Sequence, residues 1–314
     1  MIYVKVMVTG GAGFIGSHIV EELLNQGHVV SVLDNLTSGK RGKLPGDIPF
    51  YHYDLGRDLA ELEAIFSEEK PDVVIHHAAQ VSVNHSLDHP IQDLETNTLG
   101  TLHLLQCCKT YNVKKIIFAS SAAVYGNTEK DSVESDGNEP LSFYGLSKLT
   151  AEKYIKLYGD LYGLNYTILR YANVYGPGQN AEGESGVISL FCEALRSGGK
   201  FTVYGDGNQT RDFVYVKDVA RANVLALTKA DKDVLNISSA TTTSVLEVLQ
   251  SLRTLTGETI RPVFLGNKKG EIRHSLLKNN RAAEALGWIP HYSLLEGLKE
   301  TIECVPESAV YQEL

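Results

Sequence analysis

Cysteine and long apolar runs are both scarce in this chain, and each scarcity removes a class of protein. Only four cysteines occur in 314 residues, Cys107, Cys108, Cys192 and Cys304, and no two of them form a CxxC pair. That spacing offers neither a disulfide framework nor a zinc site, and it fits a reducing cytoplasm. No apolar stretch approaches membrane-spanning length, and residues 1–8 read as a strand without a basic, cleavable leader. Membrane association is therefore not expected, and the N-x-S/T triplets read as chance. The net charge is −9, yet like charges never gather into a block, which argues against nucleic acid and anionic membrane as partners. Any phosphate this chain binds must be met by a few local groups. What is present, 43% hydrophobic and 21% charged residues, suffices for an ordinary buried core in one large or two modest domains.

Strand-like runs at 4–8, 29–33, 49–53, 72–77, 114–120 and 165–170 alternate with helical patterns at 14–26, 58–69, 91–111 and 142–162. This rhythm predicts an α/β fold, a Rossmann-type doubly wound parallel sheet. After Tyr171 it breaks into NVYGPGQNAEGESG and a helix near 187–197, which marks a smaller C-terminal α/β domain. A strand at 213–216, a helix at 217–229 and the strand VLNIS at 234–238 point to a return to the first domain. The expected division is 1–172 plus about 213–238 for the first domain, and about 173–212 plus 239–314 for the second.

The stretch VMVTGGAGFIGSHIVEELL (6–24) passes from apolar alternation through Gly10, Gly13 and Gly16 into a helical pattern beginning at Phe14 and Ile15. At such a strand–turn–helix junction the glycines permit a tight turn, close approach of backbone to a diphosphate, and packing of the helix on its strand. A second apolar run, VVSVLD (29–34), ends in Asp34, eighteen residues after Gly16. A carboxylate there can accept both adenosine ribose hydroxyls, so the glycines predict a dinucleotide and Asp34 favours NAD. Lys40 and Arg41 lie close enough in sequence to keep NADP open as a second option.

Tyr144 and Lys148 stand four residues apart in FYGLSKLTAEKY and so share one helix face. KKIIFASSAAVYG (114–126) reads as a buried strand that delivers Ser120 and Ser121 to a carboxyl-terminal sheet edge, where such folds bind ligands. A phenol titrates near about 10 and needs a nearby cation to serve as a base at neutral pH. Lys148 is placed to supply it, Tyr144 to move an alcohol proton, and Ser121 to hydrogen-bond the same oxygen while a hydride moves to a nicotinamide. His85, Asp88 and His89 in VNHSLDHP do not make a metal site, since a further strong ligand is missing and Pro90 disfavours helix at His89. No metal is expected. His76 and His77 read as packed strand-end residues, and Trp288 as the core anchor of the C-terminal segment.

With these motifs in order, the sequence resembles the extended short-chain dehydrogenases/reductases and, within them, sugar-nucleotide 4-epimerases of the UDP-galactose type. TGGAGFIGSH, DNLTSG, HHAAQ, SSAAVYG, YGLSK, RYANVYGPGQ, YGDGNQTRDFVYVKDVA and GEIRHS carry the likeness along nearly the whole chain. The resemblance implies cofactor contacts at Asn35, Asp54, Leu55, Ala78, Ala79, Asn97, Ser120 and Tyr171, beside the glycines, Asp34, Tyr144 and Lys148. It implies a UDP-sugar held by Asn173 at the diphosphate and by Val187, Thr202, Val203 and Tyr204 at the nucleobase. Arg211 and Arg273 are the implied diphosphate clamps, since guanidinium matches phosphate oxygens. It also implies a homodimer paired through helices 91–111 and 142–162.

Ala122 and Ala123 follow Ser121 where related dehydratases and decarboxylases carry an extra acid. A ketone formed here would take its hydride back on the other face, which is epimerisation with NAD retained. Ser275 aligns with the position beside the sugar's 2-substituent, and its small size implies tolerance of N-acetylhexosamines as well as hexoses. No Lys or Arg occurs between Gly178 and Gly186, which lowers a UDP-glucuronate reading without removing it. A reductase that releases its cofactor and a silent NAD-binding regulator are the remaining alternatives.

Overall fold

The computed structural model describes residues 3–127, 131–180, 186–266 and 273–303; Cys304 lies outside them. Its strands are β1 (Lys5–Thr9), β2 (Val29–Asp34), β3 (Phe50–His52), β4 (Val73–His76), β5 (Lys115–Ser121), β6 (Asn165–Tyr171), β7 (Asn173–Tyr175), β8 (Phe201–Tyr204), β9 (Thr210–Tyr215), β10 (Asp233–Ile237), β11 (Thr242–Ser244) and β12 (Pro262–Leu265). Its helices are α1 (Phe14–Asn25), α2 (Leu59–Glu69), α3 (Val83–Asp88), α4 (Pro90–Asp93), α5 (Gly100–Thr110), α6 (Phe143–Tyr162), α7 (Val187–Ser197), α8 (Val216–Leu225), α9 (Val245–Thr256), α10 (Asn280–Leu286) and α11 (Leu294–Glu303).

Seven strands form one sheet in the order β10-β6-β5-β4-β1-β2-β3, and every neighbouring pair in it is parallel. Strands of such a sheet are covered on both faces, which is why they read as nearly continuous apolar runs. On β1, Val6 and Val8 enter the core that also holds Ile19, Leu23, Val219 and Trp288. Met7 enters the opposite core with Leu62, Phe66, Leu104 and Ile155. Winding reverses between β1 and β4, and the carboxyl ends of the strands there frame the crevice where doubly wound folds take ligands.

A smaller C-terminal unit is built on two short sheets, β11-β9-β7 and β12-β8. Its core gathers Tyr175, Phe191, Phe201, Tyr215, Val248 and Leu298, and Phe14 at the start of α1 reaches into it. The strand expected near 213–216 is β9, and it pairs with β7 and β11 instead of joining the large sheet. The strand expected at 234–238 is β10, paired parallel to β6. The single helix expected at 91–111 is broken: α4 starts at Pro90, residues 94–99 form a wider π-type turn, and α5 follows. Such turns are frequent at functional sites, and this one carries Asn97. Trp288 is fully buried and its Nε1 donates to the Asp218 carbonyl at 2.9 Å.

Candidate active site

The turn between β1 and α1 closes only around glycine. Gly10 has φ +68°, and a Cβ on it would stand 2.6 Å from the Ala78 nitrogen. At Gly16 a Cβ would lie 2.1 Å from the Gly10 carbonyl oxygen. Gly13 caps α1 with no side-chain acceptor, and the first turn of α1 carries no acid. The helix therefore presents its N-terminal amides and positive dipole end to the crevice, the arrangement that seats a phosphate. Phe14 is buried and Ile15 half-buried, so the Phe14 side chain packs in the core while Ile15 keeps part of its surface open.

Asp34 lies buried at the end of β2, where its Oδ2 accepts the Ala12 N–H at 2.9 Å and its Oδ1 accepts the Leu36 N–H at 2.8 Å. It thus pins the glycine turn to β2 and keeps acceptor capacity on both oxygens for a ribose. Asn35 Nδ2 donates to Asp54 Oδ2 at 3.2 Å, and Asp54 Oδ1 accepts the Gly56 N–H at 3.0 Å. Leu55 is buried in the core and offers the crevice backbone only. Arg41 does not stand ready for a 2′-phosphate: its guanidinium donates to the carbonyls of Pro45 and Gly46 and lies 5.0 Å from the Phe50 ring centre.

Behind the crevice runs a chain of buried hydrogen bonds. Thr101 Oγ1 donates to the Asn97 carbonyl at 2.6 Å, so it accepts from His76 Nε2 at 3.0 Å. His76 Nδ1 is left to accept from Thr9 Oγ1 at 2.7 Å, and Thr9 Oγ1 accepts the Ala78 N–H at 3.2 Å. Ala78 and the half-buried Ala79 are placed by this chain. A second cluster joins His77 Nε2 to the Tyr171 hydroxyl at 3.0 Å, while Asn223 Nδ2 donates to that hydroxyl at 2.8 Å. The His77 and Tyr171 rings stack with centroids 5.6 Å apart. Burial pushes both histidines toward the neutral form, His76 well below the ordinary range and His77 down to about 3. The side chain of Asn97, the residue expected beside a nicotinamide, is held by hydrogen bonds from two elements. Its Oδ1 accepts the Gln80 N–H at 2.8 Å and its Nδ2 faces the Gln80 carbonyl and Ser147 Oγ at 3.0 and 3.1 Å. It staples the loop after β4 to α6.

Tyr144, Lys148 and Glu152 follow one another at helical spacing along α6. Lys148 is buried. Its Nζ donates to the Ala119 carbonyl at 2.9 Å and lies 6.0 Å from the Tyr144 ring centre. Burial lowers its ammonium to about 8 against the opposing pull of Asp93 and Glu152. Ser121 ends β5, and its Oγ accepts the Ala123 N–H at 3.2 Å, which leaves its own proton to donate. A Cβ at Gly145 would meet the Ala123 carbonyl oxygen at 2.5 Å. Glycine there lets the first turn of α6, which carries Tyr144, close on the turn after Ser121.

Ser120 does not join them. Its Oγ donates to Glu152 Oε1 at 2.6 Å, and Arg170 holds the same carboxylate through Nε at 2.9 Å and Nη2 at 2.7 Å. Adjacent strand residues face opposite sides, so one of the two serines had to turn from the crevice. This buried Glu152–Arg170 pair went unread in the sequence, although Glu152 lies one helical turn beyond Lys148.

Across the crevice, Asn173 is exposed at the start of β7, and Val187 is half-buried as the first residue of α7. On β8, Thr202 and Tyr204 face outward while Val203 is buried between them, so the Val203 side chain cannot wall a nucleobase. Arg273 Nη1 and Nη2 each lie 2.8 Å from an oxygen of Asp206. Thr210 bridges to His274, which makes Arg211, Arg273 and the half-buried Ser275 neighbours. Asp212 accepts the Ser239 N–H at 2.8 Å and the Leu277 N–H at 3.4 Å, tying this strap to β9.

The profile of the NAD dependent epimerase/dehydratase family matches residues 6–238. The chain belongs to that family. Among its relatives, the UDP-glucose 4-epimerase of Mycolicibacterium smegmatis is 37% identical over 305 residues, covering 95% of this chain and 97% of that one. The crystal structure of the Thermotoga maritima UDP-glucose 4-epimerase with UDP-glucose superposes with TM-score 0.93 at 44% identity, covering 96% of this chain and 98% of that one. The Thermus thermophilus UDP-glucose 4-epimerase, solved with NAD, gives 0.91 at 40% identity and covers 96% of this chain and 98% of that one. Among the described residues of this family member no cluster of three or more His, Cys, Asp and Glu is arranged to hold a metal, and His85 instead meets Gln92 at 2.9 Å. No described helix is long and apolar enough to cross a membrane.

Proposed function

We propose that the protein is a UDP-hexose 4-epimerase that interconverts UDP-glucose and UDP-galactose with retained NAD and also accepts the N-acetylhexosamine pair. What supports this reading is Lys148 Nζ held at the Ala119 carbonyl of β5 and 6.0 Å from the Tyr144 ring centre, with Ser121 ending that strand and Ala122 and Ala123 supplying no second acid. The residues present fit the dinucleotide: a turn too tight for a Cβ at Gly10 or Gly16, helix amides beside it, and a buried carboxylate at Asp34. When bound, the nicotinamide supplies a hydride acceptor and donor for the sugar carbon.

The chain's own residues handle the proton. Tyr144 as its phenolate takes it from the C4 hydroxyl and as the phenol gives it back, and the cation on Lys148 lowers the cost of the phenolate. Ser121, whose oxygen is already held by the Ala123 amide, donates to the C4 oxygen. Inversion requires the sugar to present its other face while the nucleotide stays in place, so grip belongs on the diphosphate and base, at Arg211, Arg273, Thr202 and Tyr204. UDP-glucuronate is the second reading, because the fold brings Lys43 Nζ to 3.0 Å from the Gly178 carbonyl, a cation that the 178–186 segment itself lacks.

The test is proton NMR of the purified protein without added NAD, incubated separately with UDP-galactose, UDP-N-acetylgalactosamine and UDP-glucuronate. Appearance of the 4-epimers of the first two is expected. Conversion of the glucuronate alone, or stoichiometric release of reduced cofactor, would overturn the hexose reading. Tyr144→Phe should lower turnover about 10³-fold if the phenol moves the proton.

We propose further that the protein is a homodimer in the cytoplasm. Ile91, Leu94, Leu146, Leu157 and Leu161 leave apolar surface along residues 90–99 and α6, and the three described cysteines are buried and unbonded. Light scattering showing monomer at micromolar concentration would count against pairing.

A further inference from the structure

Two buried ionisable groups lie on elements packed against each other, Asp93 on α4 and Lys148 on α6. Neither forms an ion pair among the described residues. Asp93 ends α4 and is 1% exposed. Its Oδ1 accepts from Gln80 Nε2 at 2.8 Å and stands 3.1 Å from Asn97 Nδ2. Its Oδ2 is enclosed, and among the described residues no donor reaches it. Lys148 Nζ meets the Ala119 carbonyl at 2.9 Å and lies 4.9 Å from the Phe118 ring centre, so its immediate partners bring no negative charge. The two elements are linked through Asn97, whose Nδ2 stands 3.1 Å from Ser147 Oγ, next to Lys148 on α6.

A buried ammonium with no anion near it gives up its proton. The titratable groups that face Lys148 are Tyr144 and Glu152 from its own helix, His76 and His77 from β4, and Asp93 from α4. Both histidines are held neutral. The Glu152 carboxylate is spent on Arg170, which grips it through two nitrogens. Asp93 is the acid in this set without a cation of its own. We infer that Asp93 is the counter-charge that keeps Lys148 an ammonium beside Tyr144, set back so that it holds the proton without drawing Nζ into a salt bridge. A carboxylate in contact would pull Nζ away from the Ala119 carbonyl and from the phenol. Set back in a dry interior, it keeps much of its attraction, because that attraction falls only inversely with distance. Burial lowers the Lys148 ammonium to about 8, and Asp93 opposes this more than Glu152 does. Asp93 is thus a positioning residue, acting on the sugar only through Lys148 and Tyr144. That use of the charge rests on the proposed epimerase reading, whereas the coupling of Asp93 to Lys148 does not.

The experiment is carbon NMR of the NAD-loaded protein labelled at lysine, following the Lys148 Cε signal against pH, with K148M to assign it. Wild type is compared with D93N and D93S, which remove the charge, and with S147A, which cuts the link between the two elements and keeps the charge. Asparagine retains an oxygen for Gln80 and Asn97, and D93S serves as a second neutral variant should D93N fold poorly. Each neutral variant should lower the Lys148 midpoint by about one pH unit, and S147A should leave it in place. An unmoved midpoint in the neutral variants would overturn the inference. An equal fall in S147A would assign the effect to packing and also overturn it. Turnover of UDP-galactose supplies a second readout: the loss of rate at high pH should begin about one unit lower in D93N than in wild type. A rate reduced by the same factor at every pH would overturn the link to Tyr144. Absence of turnover in wild type would remove the epimerase reading, while the lysine titration would still decide whether Asp93 holds the charge.

Discussion

The two sides of the crevice hold their functional groups by different means. On the large-sheet side, Asp34, His76, Asn97, Lys148, Glu152 and Tyr171 are buried, and each answers to hydrogen-bond partners from other elements. On the other side, Asn173, Tyr204 and Arg273 are exposed, on short ladders and a strap. The first arrangement suits a group that stays bound and must be aimed to within fractions of an ångström. The second suits a nucleotide that enters and leaves at every turnover. A buried polar network is costly to disturb, whereas an exposed side chain contributes little beyond its own contact. Substitutions on the sheet side should therefore change stability and cofactor retention together, and those on the far side should change nucleotide affinity alone.

The sharpest way to break this contrast is Glu152→Gln. The change leaves the buried Arg170 guanidinium without its counter-charge, and breaking a buried pair in this way costs on the order of 3 kcal/mol. A large drop in melting temperature is expected, together with loss of NAD on gel filtration as Ser120 and the end of β5 loosen. An unchanged melting temperature would mean that the pair behaves like a surface one and that the sheet side is not locked.

The same contrast governs how much could be read beforehand. The glycines were legible because they answer to backbone geometry within seven residues, and Tyr144 and Lys148 because one helix sets their spacing. The parallel sheet followed from apolar runs whose lengths and separations are local facts. Ser120 and Ser121 were not separable as adjacent hydroxyls, since which one faces the crevice depends on which face of β5 meets α6. The partners that hold the Asn97 side chain, Gln80 and Ser147, are 17 and 50 residues away and could not be read without the fold. Val203 was within reach: Phe201 and Val203 alternate with Thr202 and Tyr204 at the period of a strand, so only one set could line a pocket. Arg273 could not be paired with Asp206 across 67 residues without the fold.

A smaller effect comes from the half-buried His77. His77 has an ordinary value of 6.5 and is held down to about 3 by burial, so below pH 6.5 the unfolded chain takes up a proton that the folded one refuses. The stability due to the neutral ring is fully present above pH 6.5 and is lost as pH falls toward 3, at up to about 1.4 kcal/mol per pH unit from this residue. Urea unfolding at pH 7.5, 6 and 5 should show wild type losing stability faster than His77→Gln across that window. Parallel curves for the two proteins would mean that His77 titrates normally, and that the His77–Tyr171–Asn223 cluster is open to water.

On the exposed side, Tyr204→Ala should have the smallest consequence and the cleanest one. The ring stands 41% exposed on β8, so its removal should leave melting temperature and NAD retention as they were. If the ring stacks on the base, its loss should weaken uridine and UDP equally, by about fivefold, at the low end of what stacking on an aromatic side chain contributes. Equal losses would separate base from diphosphate on this surface, because Arg273→Ala should weaken UDP and leave uridine untouched. A loss of cofactor or a fall in melting temperature on removing Tyr204 would erase the contrast from its other end, since an exposed residue would then be supporting the buried half.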